Sequence, residues 1–361
     1  MRVTLDATPL LGPRTGIARY VQGLLDGLTR LPEPPEIVLT AFTGRGWRQL
    51  VAPPGCSVAG RPVPARVLRT LWAHTELPPV EWLTGTTDVF HATNFVLPPT
   101  RQAVGVLTVH DLSFLRNPDT VTRDVLAYQR LVARGVRRAA AVVTDAEAVA
   151  DEVAAEYGIP RASIRATHLG IDADWSATRA PSSEEKAALG LPAEYIVAVG
   201  TVEPRKNLPL LVSAHRLLPG APPLVLVGGA RWAGEVAATA RVHLTGHVPD
   251  EDLRRIVAGA RVLAYPSRRE GFGFPPLEVC WADRAGVPNG AGPVVAEARF
   301  ATDTPSRASG TPVRGGRTRT AGRIVQVGRA GDLDGSRAAH RAPARPVAGL
   351  LAVRGPCLQP G

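Results

Sequence analysis

Apolar residues along the first 280 positions alternate between short unbroken runs and spaced stripes. Runs such as Tyr195–Gly200 and Leu224–Gly229 are typical of strands buried on both faces of a parallel sheet. A stripe of three- and four-residue spacing from Ile17 to Leu28 instead predicts an amphipathic helix. Strands that alternate with helices in this way indicate a doubly wound α/β architecture.

The predicted strands form two groups along the chain. They are Arg2–Asp6, Ile37–Phe42, Asp88–His91, Val104–Asp111 and Ala140–Thr144, followed by Tyr195–Gly200, Leu224–Gly229, Val242–Gly246 and Ala260–Ser267. A chain of 361 residues is long enough for two such domains, each with its own core. We predict a first domain at 1–175, a linker at 176–190 that includes a polar run, a second domain at 191–280 and a tail at 281–361.

One stretch combines the features of a ligand site. Two glutamates, Glu270 and Glu278, flank a glycine-aromatic-glycine turn and a Pro-Pro step, directly after the last predicted strand. Glycines let main-chain amides approach a ligand, and prolines suit the first turn of a helix. A strand, a glycine turn and a helix N-terminus favour anionic or hydroxyl-rich ligands. The alternative is an ordinary turn with two solvated glutamates.

Three further candidates follow predicted strands. Gly16 lies in the loop after the first strand, Arg205 and Lys206 follow Tyr195–Gly200, and His110 ends Val104–Asp111. Arginine offers a planar fork and lysine a point charge, which together suit a diphosphate. The alternatives are a simple turn glycine, a solvated pair of cations and a structural histidine.

These segments resemble glycosyltransferase family 4, whose members are retaining enzymes of the two-domain GT-B fold. The resemblance rests on Glu270-Gly-Phe-Gly-Phe-Pro-Pro-Leu-Glu278, on Glu203-Pro-Arg-Lys-Asn207 and on Val109-His-Asp-Leu-Ser-Phe-Leu115. It implies two Rossmann-like domains that face each other across a cleft. The implied catalytic residues are His110, oriented by Asp111, and Glu270; the implied donor-binding residues are Gly16, Arg205, Lys206, Gly271, Phe272, Gly273 and Glu278.

The implied reaction moves a hexose, with mannose as one candidate, from a nucleotide diphosphate sugar to a glycan or lipid-linked acceptor with retention of configuration. Glu270 and the glycine-loop amides would hold sugar hydroxyls, and Glu278 would hold the ribose. Paired carboxylates also occur in glycosidases, but hydrolases need no diphosphate clamp. We expect no cofactor and no metal, because the sequence has no ligand cluster and the cations take that place. Remaining alternatives are a nucleotide-sugar-binding remnant without activity and a nucleotide-sugar epimerase.

Charge and hydropathy limit the other classes of function. The net charge is +10, but residues 281–361 hold twelve arginines, no lysine and five acidic residues, so most of the excess lies there. That stretch lacks interleaved aromatics, and we expect no nucleic-acid partner, although a basic-tailed binder stays an alternative. Without a signal peptide or a membrane-length apolar run, we expect a cytoplasmic protein. The Arg66–Trp72 segment fits a basic helix for peripheral association with the inner membrane face; a solvated helix is the commoner interpretation.

The pattern changes abruptly after Val279. Residues 280–361 are a mixture of arginine, glycine, proline, alanine and threonine in which we find neither helical nor strand periodicity. The change falls inside a domain and not at a boundary. We therefore predict that the second domain is incomplete and that 281–361 is a disordered or out-of-frame tail, which sequencing of the gene tests.

Overall fold

The computed structural model describes residues 1–12, 15–116, 128–200, 204–229, 238–268, 270–282, 294–298 and 324–327. The chain divides into two compact units, Met1–Gly170 and Ile171–Gly361. Each unit has its own parallel sheet and its own buried clusters of apolar side chains. The two-core organisation expected from length is therefore present.

The described residues of the first unit form a seven-stranded parallel sheet. Its strands are β1 (Arg2–Asp6), β2 (Glu36–Thr40), β3 (Cys56–Val58), β4 (Val89–Ala92), β5 (Val104–Val109), β6 (Ala141–Thr144) and β7 (Ile164–Ala166). The strand order is β3-β2-β1-β4-β5-β6-β7. The helices are α1 (Gly16–Thr29), α2 (Ala65–His74), α3 (Glu81–Thr84), α4 (Ser113–Arg116), α5 (Tyr128–Arg138) and α6 (Glu147–Tyr157).

The second unit repeats this strand order. Its strands are β8 (Ile196–Val199), β9 (Leu224–Val227), β10 (Val242–Gly246), β11 (Val262–Tyr265), β12 (Val294–Ala298) and β13 (Ile324–Val327). They are arranged β10-β9-β8-β11-β12-β13, and all described pairs are parallel. Its helices are α7 (Asp174–Ala177), α8 (Ser183–Ala188), α9 (Leu208–Arg216), α10 (Asp250–Ala258) and α11 (Phe274–Ala282).

Strand order determines where each sheet binds ligands. In the first sheet the order reverses between β1 and β4, and in the second between β8 and β11. At such a point neighbouring crossovers lie on opposite faces of the sheet and leave a crevice beyond the carboxyl ends of the strands. The segments that follow these strands are therefore candidates for the functional site.

Burial explains why most strands were predictable. β9, Leu224–Val227, is apolar and buried at every position, which is the pattern of a central parallel strand. β3 was not predicted, because it has only three residues and all are exposed or half-buried. The apolar side chains of the central strands pack against α1, α5 and α6 in the first unit and against α9 and α10 in the second.

The prediction that residues 281–361 form a tail without regular structure is wrong for two segments, which form strands. β12 pairs with β11 from Val262–Val294 to Tyr265–Glu297, and β13 pairs with β12. These strands were missed because each is short and stands in a stretch rich in glycine, proline and arginine. The other residues of 281–361, apart from Trp281 and Ala282 at the end of α11, lie outside the described residues.

The predicted linker, 176–190, contains regular structure. It includes the end of α7 and all of α8, whose N-cap is Ser182. Leu189, Leu191 and Trp175 pack into a cluster of the second unit. None of the helices among the described residues is long and apolar enough to cross a bilayer.

Candidate active site

The second sheet brings three charged side chains together at its point of reversal. Arg205 Nη1 donates to Glu270 Oε2 at 2.7 Å, and Lys206 Nζ donates to Glu270 Oε1 at 2.7 Å. Each carboxylate oxygen thus binds a different cation. The side chains are partly buried, with exposed fractions of 26% for Arg205, 11% for Lys206 and 17% for Glu270. Because solvent screens them little, their mutual attraction is stronger than at an open surface.

Backbone geometry fixes the two loops that supply these residues. A short 3-10 helix, Pro204–Lys206, follows β8, and the Arg268 amide donates to the Arg205 carbonyl at 2.8 Å. Asn207 then adopts a left-handed conformation with φ of 56° and is the N-cap of α9. The crossover from β8 and the segment after β11 are therefore held together by main-chain bonding.

Gly200 makes room for the lysine. It directly follows β8 with φ of 144°, and a Cβ atom there would lie 3.2 Å from Lys206 Cε. A side chain at this position would be both strained and crowded. The glycine at the end of the strand thus allows the Lys206 stem to lie against the backbone.

The surroundings of Glu270 keep it ionised. Burial alone would raise the pKa of its carboxyl, but the charges of Lys206 and Arg205 outweigh burial, and the pKa lies below its ordinary value. Lys206 Nζ also lies 5.4 Å from the centre of the Tyr265 ring, within range of a cation–π contact. Burial, and then the charge of Glu270, raise the pKa of the Tyr265 hydroxyl, so that this group stays neutral.

The glycine loop leads into α11. Gly273 has φ of 91°, which disfavours any residue with a side chain, and the rings of Phe272 and Phe274 meet edge to face at 5.4 Å. α11 begins at Phe274, so the two prolines occupy its first turn, as the sequence predicts. Glu278 lies in this helix with an exposed fraction of 2%.

The first unit has a second group of polar residues at the carboxyl edge of its sheet. His110 follows β5 and is 6% exposed. Its Nδ1 lies 2.7 Å from Asp145 Oδ2, after β6, and its Nε2 lies 2.9 Å from the Thr93 carbonyl oxygen, after β4. The ring of Tyr20 meets it edge to face at 5.0 Å, and the ring of Phe95 at 5.7 Å.

A buried hydrogen-bond chain lies next to this histidine. Thr108 Oγ1 is 2.8 Å from both the Tyr20 hydroxyl and His91 Nε2. Burial, and then the nearby His110, lower the pKa of His91 to about 4, so His91 is neutral at pH 7. Burial raises the pKa of Tyr20 to about 12.

Gly16 and Asp6, at the end of β1 and in the segment after it, belong to the same edge of the first sheet. Gly16 is exposed at the first position of α1, whose N-cap Thr15 accepts from the Ala18 amide at 3.4 Å. Asp6, at the end of β1, is buried, and its Oδ1 accepts from the Thr8 amide at 2.9 Å. Burial raises the pKa of Asp6 to about 6 despite this bonding.

The expectation that Asp111 orients His110 is wrong. Asp111 Oδ1 accepts from the Ser113 amide at 2.8 Å, and the carboxylate that meets the ring belongs to Asp145. Asp111 follows His110 directly, whereas Asp145 lies 35 residues away and is brought near because β5 and β6 are neighbours. The sequence offered one signal for Asp145, which is a carboxylate directly after a predicted strand.

Gly200 and Tyr265 were also missed as site residues, since each was assigned only to a strand.

Two family profiles match the chain. The one described as "Glycosyl transferases group 1" matches residues 181–288, and the one described as "Glycosyl transferase 4-like domain" matches residues 15–170. The chain is 32% identical over 217 residues to O-antigen chain mannosyltransferase B of Escherichia coli. That match covers 55% of this chain and 55% of the relative, so the chain spans about half the length of the curated relative it matches.

Solved structures of glycosyltransferases share the fold. WaaG, a glycosyltransferase involved in lipopolysaccharide biosynthesis, superposes with a TM-score of 0.58 at 15% identity, over 82% of this chain and 81% of that one. Anabaena Alr3699/HepE in complex with UDP-glucose superposes with a TM-score of 0.57 at 17% identity, over 82% and 80%. These likenesses confirm the predicted GT-B class of two doubly wound domains. The two family profiles, which match residues in both units, show that the chain belongs to the group 1 glycosyltransferases, in family 4, as the sequence motifs predict.

Proposed function

We propose that the chain transfers a hexose, mannose as the first candidate, from a nucleoside diphosphate sugar to a hydroxyl of a glycan or lipid-linked acceptor. The observation that carries this proposal is the cluster of Arg205, Lys206 and Glu270 at the reversal point of the second sheet. Mannose is proposed because the relative from Escherichia coli is named a mannosyltransferase. A glycan acceptor is proposed on the same ground.

The two cations would bind the diphosphate of the donor. Charge accumulates on that group as the bond from the sugar to phosphate breaks, and fixed cations stabilise it most at that stage. Glu270 would move from the cations to the sugar hydroxyls as the diphosphate arrives. The amides from Gly271 to Gly273 would approach the donor beside Phe272, and Glu278 would hold the ribose.

We propose that configuration is retained. The bond between the anomeric carbon and the phosphate oxygen breaks, and a new bond to the acceptor oxygen forms on the same face of the sugar. The acceptor proton passes to the departing phosphate oxygen, so atoms and charges balance without a protein base. His110 would lie near the transferred sugar, and Gly16 near the diphosphate and the acceptor.

A donor screen tests the proposal. Purified chain is mixed with nucleoside diphosphate hexoses that differ in base and sugar, and binding and turnover are measured with and without glycan acceptors. Lys206→Ala and Glu270→Ala should each weaken donor binding. Lys186→Ala is the matched control, because Lys186 is the only other lysine and its Nζ binds the Ala193 carbonyl oxygen at 2.7 Å. Equal donor affinity in all four proteins would remove the site assignment.

The same screen separates the alternatives. The profile match ends at residue 288 of 361, and this favours a donor-binding protein without turnover as the second candidate. Such a protein would bind a nucleotide sugar tightly and leave it unchanged in the presence of acceptors. An epimerase would release an altered sugar when no acceptor is present. The anomeric configuration of any transferred sugar, read by NMR, tests retention.

A lipid-linked acceptor would place the enzyme at a membrane surface, and we propose α2 as the contact. Val67 and Leu71 lie one turn apart on this helix and are 48% and 38% exposed, next to the exposed Arg66. Vesicles with anionic lipid should bind the chain more strongly than neutral vesicles, and the double substitution Val67→Ser with Leu71→Ser should reduce this binding. Leu217→Ser, at a residue that is 64% exposed in the second unit, is the control.

A further inference from the structure

His110 is held by acceptors at both ring nitrogens. Nδ1 faces a carboxylate oxygen of Asp145 at 2.7 Å, and Nε2 faces the carbonyl oxygen of Thr93 at 2.9 Å. A backbone carbonyl never donates, and an ionised carboxylate only accepts. With Asp145 ionised, both bonds therefore form together only when the ring carries a proton on each nitrogen. A neutral ring would leave one nitrogen lone pair against an oxygen lone pair.

Because the His110 and Asp145 side chains are both buried, the charge of one must be balanced by the charge of the other. The side chains of His110 and Asp145 are 8% and 5% exposed. Within the described residues, Asp145 Oδ1 is buried without a hydrogen-bond partner, so the ring is the partner of this carboxylate. An ionised carboxylate in such a place needs a cation beside it.

Two other titratable side chains near the His110 ring are uncharged at pH 7, so neither can balance the charge of Asp145. His91, from β4, is neutral at pH 7, and Tyr20, from α1, keeps its hydroxyl proton and donates or accepts at Thr108. Phe95 adds an aromatic wall and holds a left-handed backbone conformation with φ of 62°. Such a conformation is costly for a bulky residue and is found where surrounding structure enforces it.

We propose that Asp145 is a positioning residue that keeps His110 doubly protonated, so that His110 acts through its charge and its fixed position and not as a proton acceptor. This inference rests on the proposed function for its catalytic consequence. With both nitrogens engaged, His110 can offer a ligand only its positive charge and its carbon edge. The acceptor proton must then go to another group, which agrees with transfer to the departing phosphate oxygen.

Nitrogen NMR on the full chain tests the protonation directly. In protein labelled with ¹⁵N at histidine, the His110 resonances, assigned by their loss in His110→Gln, should show two protonated ring nitrogens at pH 7. Asp145→Asn keeps the shape and an acceptor oxygen but removes the charge, and should leave one protonated nitrogen. Asp111→Asn is the matched control and should leave both signals unchanged, because Asp111 binds the Ser113 amide.

Kinetics then test the catalytic consequence with the donor and acceptor found in the screen. Asp145→Asn should lower kcat about tenfold or more with little change in KM, since a displaced charge acts on the transition state. Asp145→Glu keeps the charge and should recover part of the loss. Melting curves confirm that each variant is folded.

The outcomes are distinct. One protonated nitrogen in the wild-type ring, or two in Asp145→Asn, would overturn the inference whether or not the chain has activity. An unchanged kcat in a folded Asp145→Asn would overturn the positioning role. If Asp145→Asn does not fold, the wild-type spectrum decides the protonation and Asp145→Glu supplies the kinetic comparison. A wild-type chain that bears two protons and transfers no sugar would contradict the proposed function and leave the charged pair established.

Discussion

At the scale of single residues, the buried carboxyl of Asp6 lowers the free energy of unfolding at neutral pH. Its pKa rises from 3.8 to about 6 in the folded protein, and burial is the main cause. Between these values the folded state binds more protons than the unfolded state. The free energy of unfolding therefore falls as the pH rises through this window, by about 3 kcal/mol at most.

We predict that Asp6→Asn stabilises the protein at neutral pH. The amide keeps an oxygen that accepts from Thr8 and carries no charge, so the free energy of unfolding at pH 7 should rise by about 1 to 3 kcal/mol. The gain should shrink as the pH approaches 4, where the wild-type carboxyl is protonated. Urea unfolding from pH 4 to 8 measures this. Asp88→Asn, at an exposed carboxylate that accepts from the Arg2 amide, should give no such gain.

We predict that a side chain at Gly200 weakens donor binding. In Gly200→Ala the new methyl group would press on the Lys206 stem and move its ammonium group away from Glu270, at a backbone with φ of 144°. Donor affinity, measured by calorimetry, should fall about tenfold, which corresponds to the loss of one charge-assisted hydrogen bond. Gly246→Ala is the control, because that glycine has φ of 70° and open space around its Cα. Equal losses in both variants would mean that backbone strain alone is responsible.

At the scale of elements, α8 depends on its N-terminal cap. Ser182 Oγ accepts from the Glu185 amide at 3.2 Å, and Glu185 Oε2 accepts from the Ser182 amide at 2.7 Å. We predict that Ser182→Ala lowers the free energy of unfolding by about 0.5 to 2 kcal/mol, because one amide of the first turn loses its partner. Ser183→Ala, one position later and exposed, should change it little. Denaturant titrations of the two variants give the comparison.

Elements were predictable from sequence where burial and pattern agree. β8 and β9 are apolar at every position and almost wholly buried, so their composition alone indicates strands. β12 and β13 were not predicted, since each is short and stands in a stretch rich in glycine, proline and arginine. Neighbouring strands also explain the site. Arg205 and Glu270 were predicted to act together because both follow strands, whereas the meeting of His110 with Asp145 depends on which strand lies next to which.

At the scale of the whole molecule, the two units have separate sheets and separate cores, and the charged cluster belongs to the second. We predict that a nucleoside diphosphate slows amide hydrogen exchange in the second unit, most strongly at 204–208 and 265–278. At a hundred times its dissociation constant, the ligand should add about 2.7 kcal/mol of stability to the bound fold. Exchange is followed by mass spectrometry on the full chain.

A matched control and a contrary outcome complete that test. Lys206→Ala with the same ligand should show little protection at either segment, whereas Lys186→Ala should match the wild-type chain. Protection confined to β1, β2 and α1 would place the nucleotide in the first unit and contradict the assignment.

The Glu270 carboxylate, which lies between Arg205 and Lys206, also competes with any anion that binds these two cations. Such an anion must offer the pair more than the single negative charge and two oxygens that Glu270 already supplies. Chloride or acetate gains nothing by exchange, whereas a diphosphate brings extra charge and more acceptors. The chain thereby screens out the abundant small anions of its surroundings with one of its own side chains.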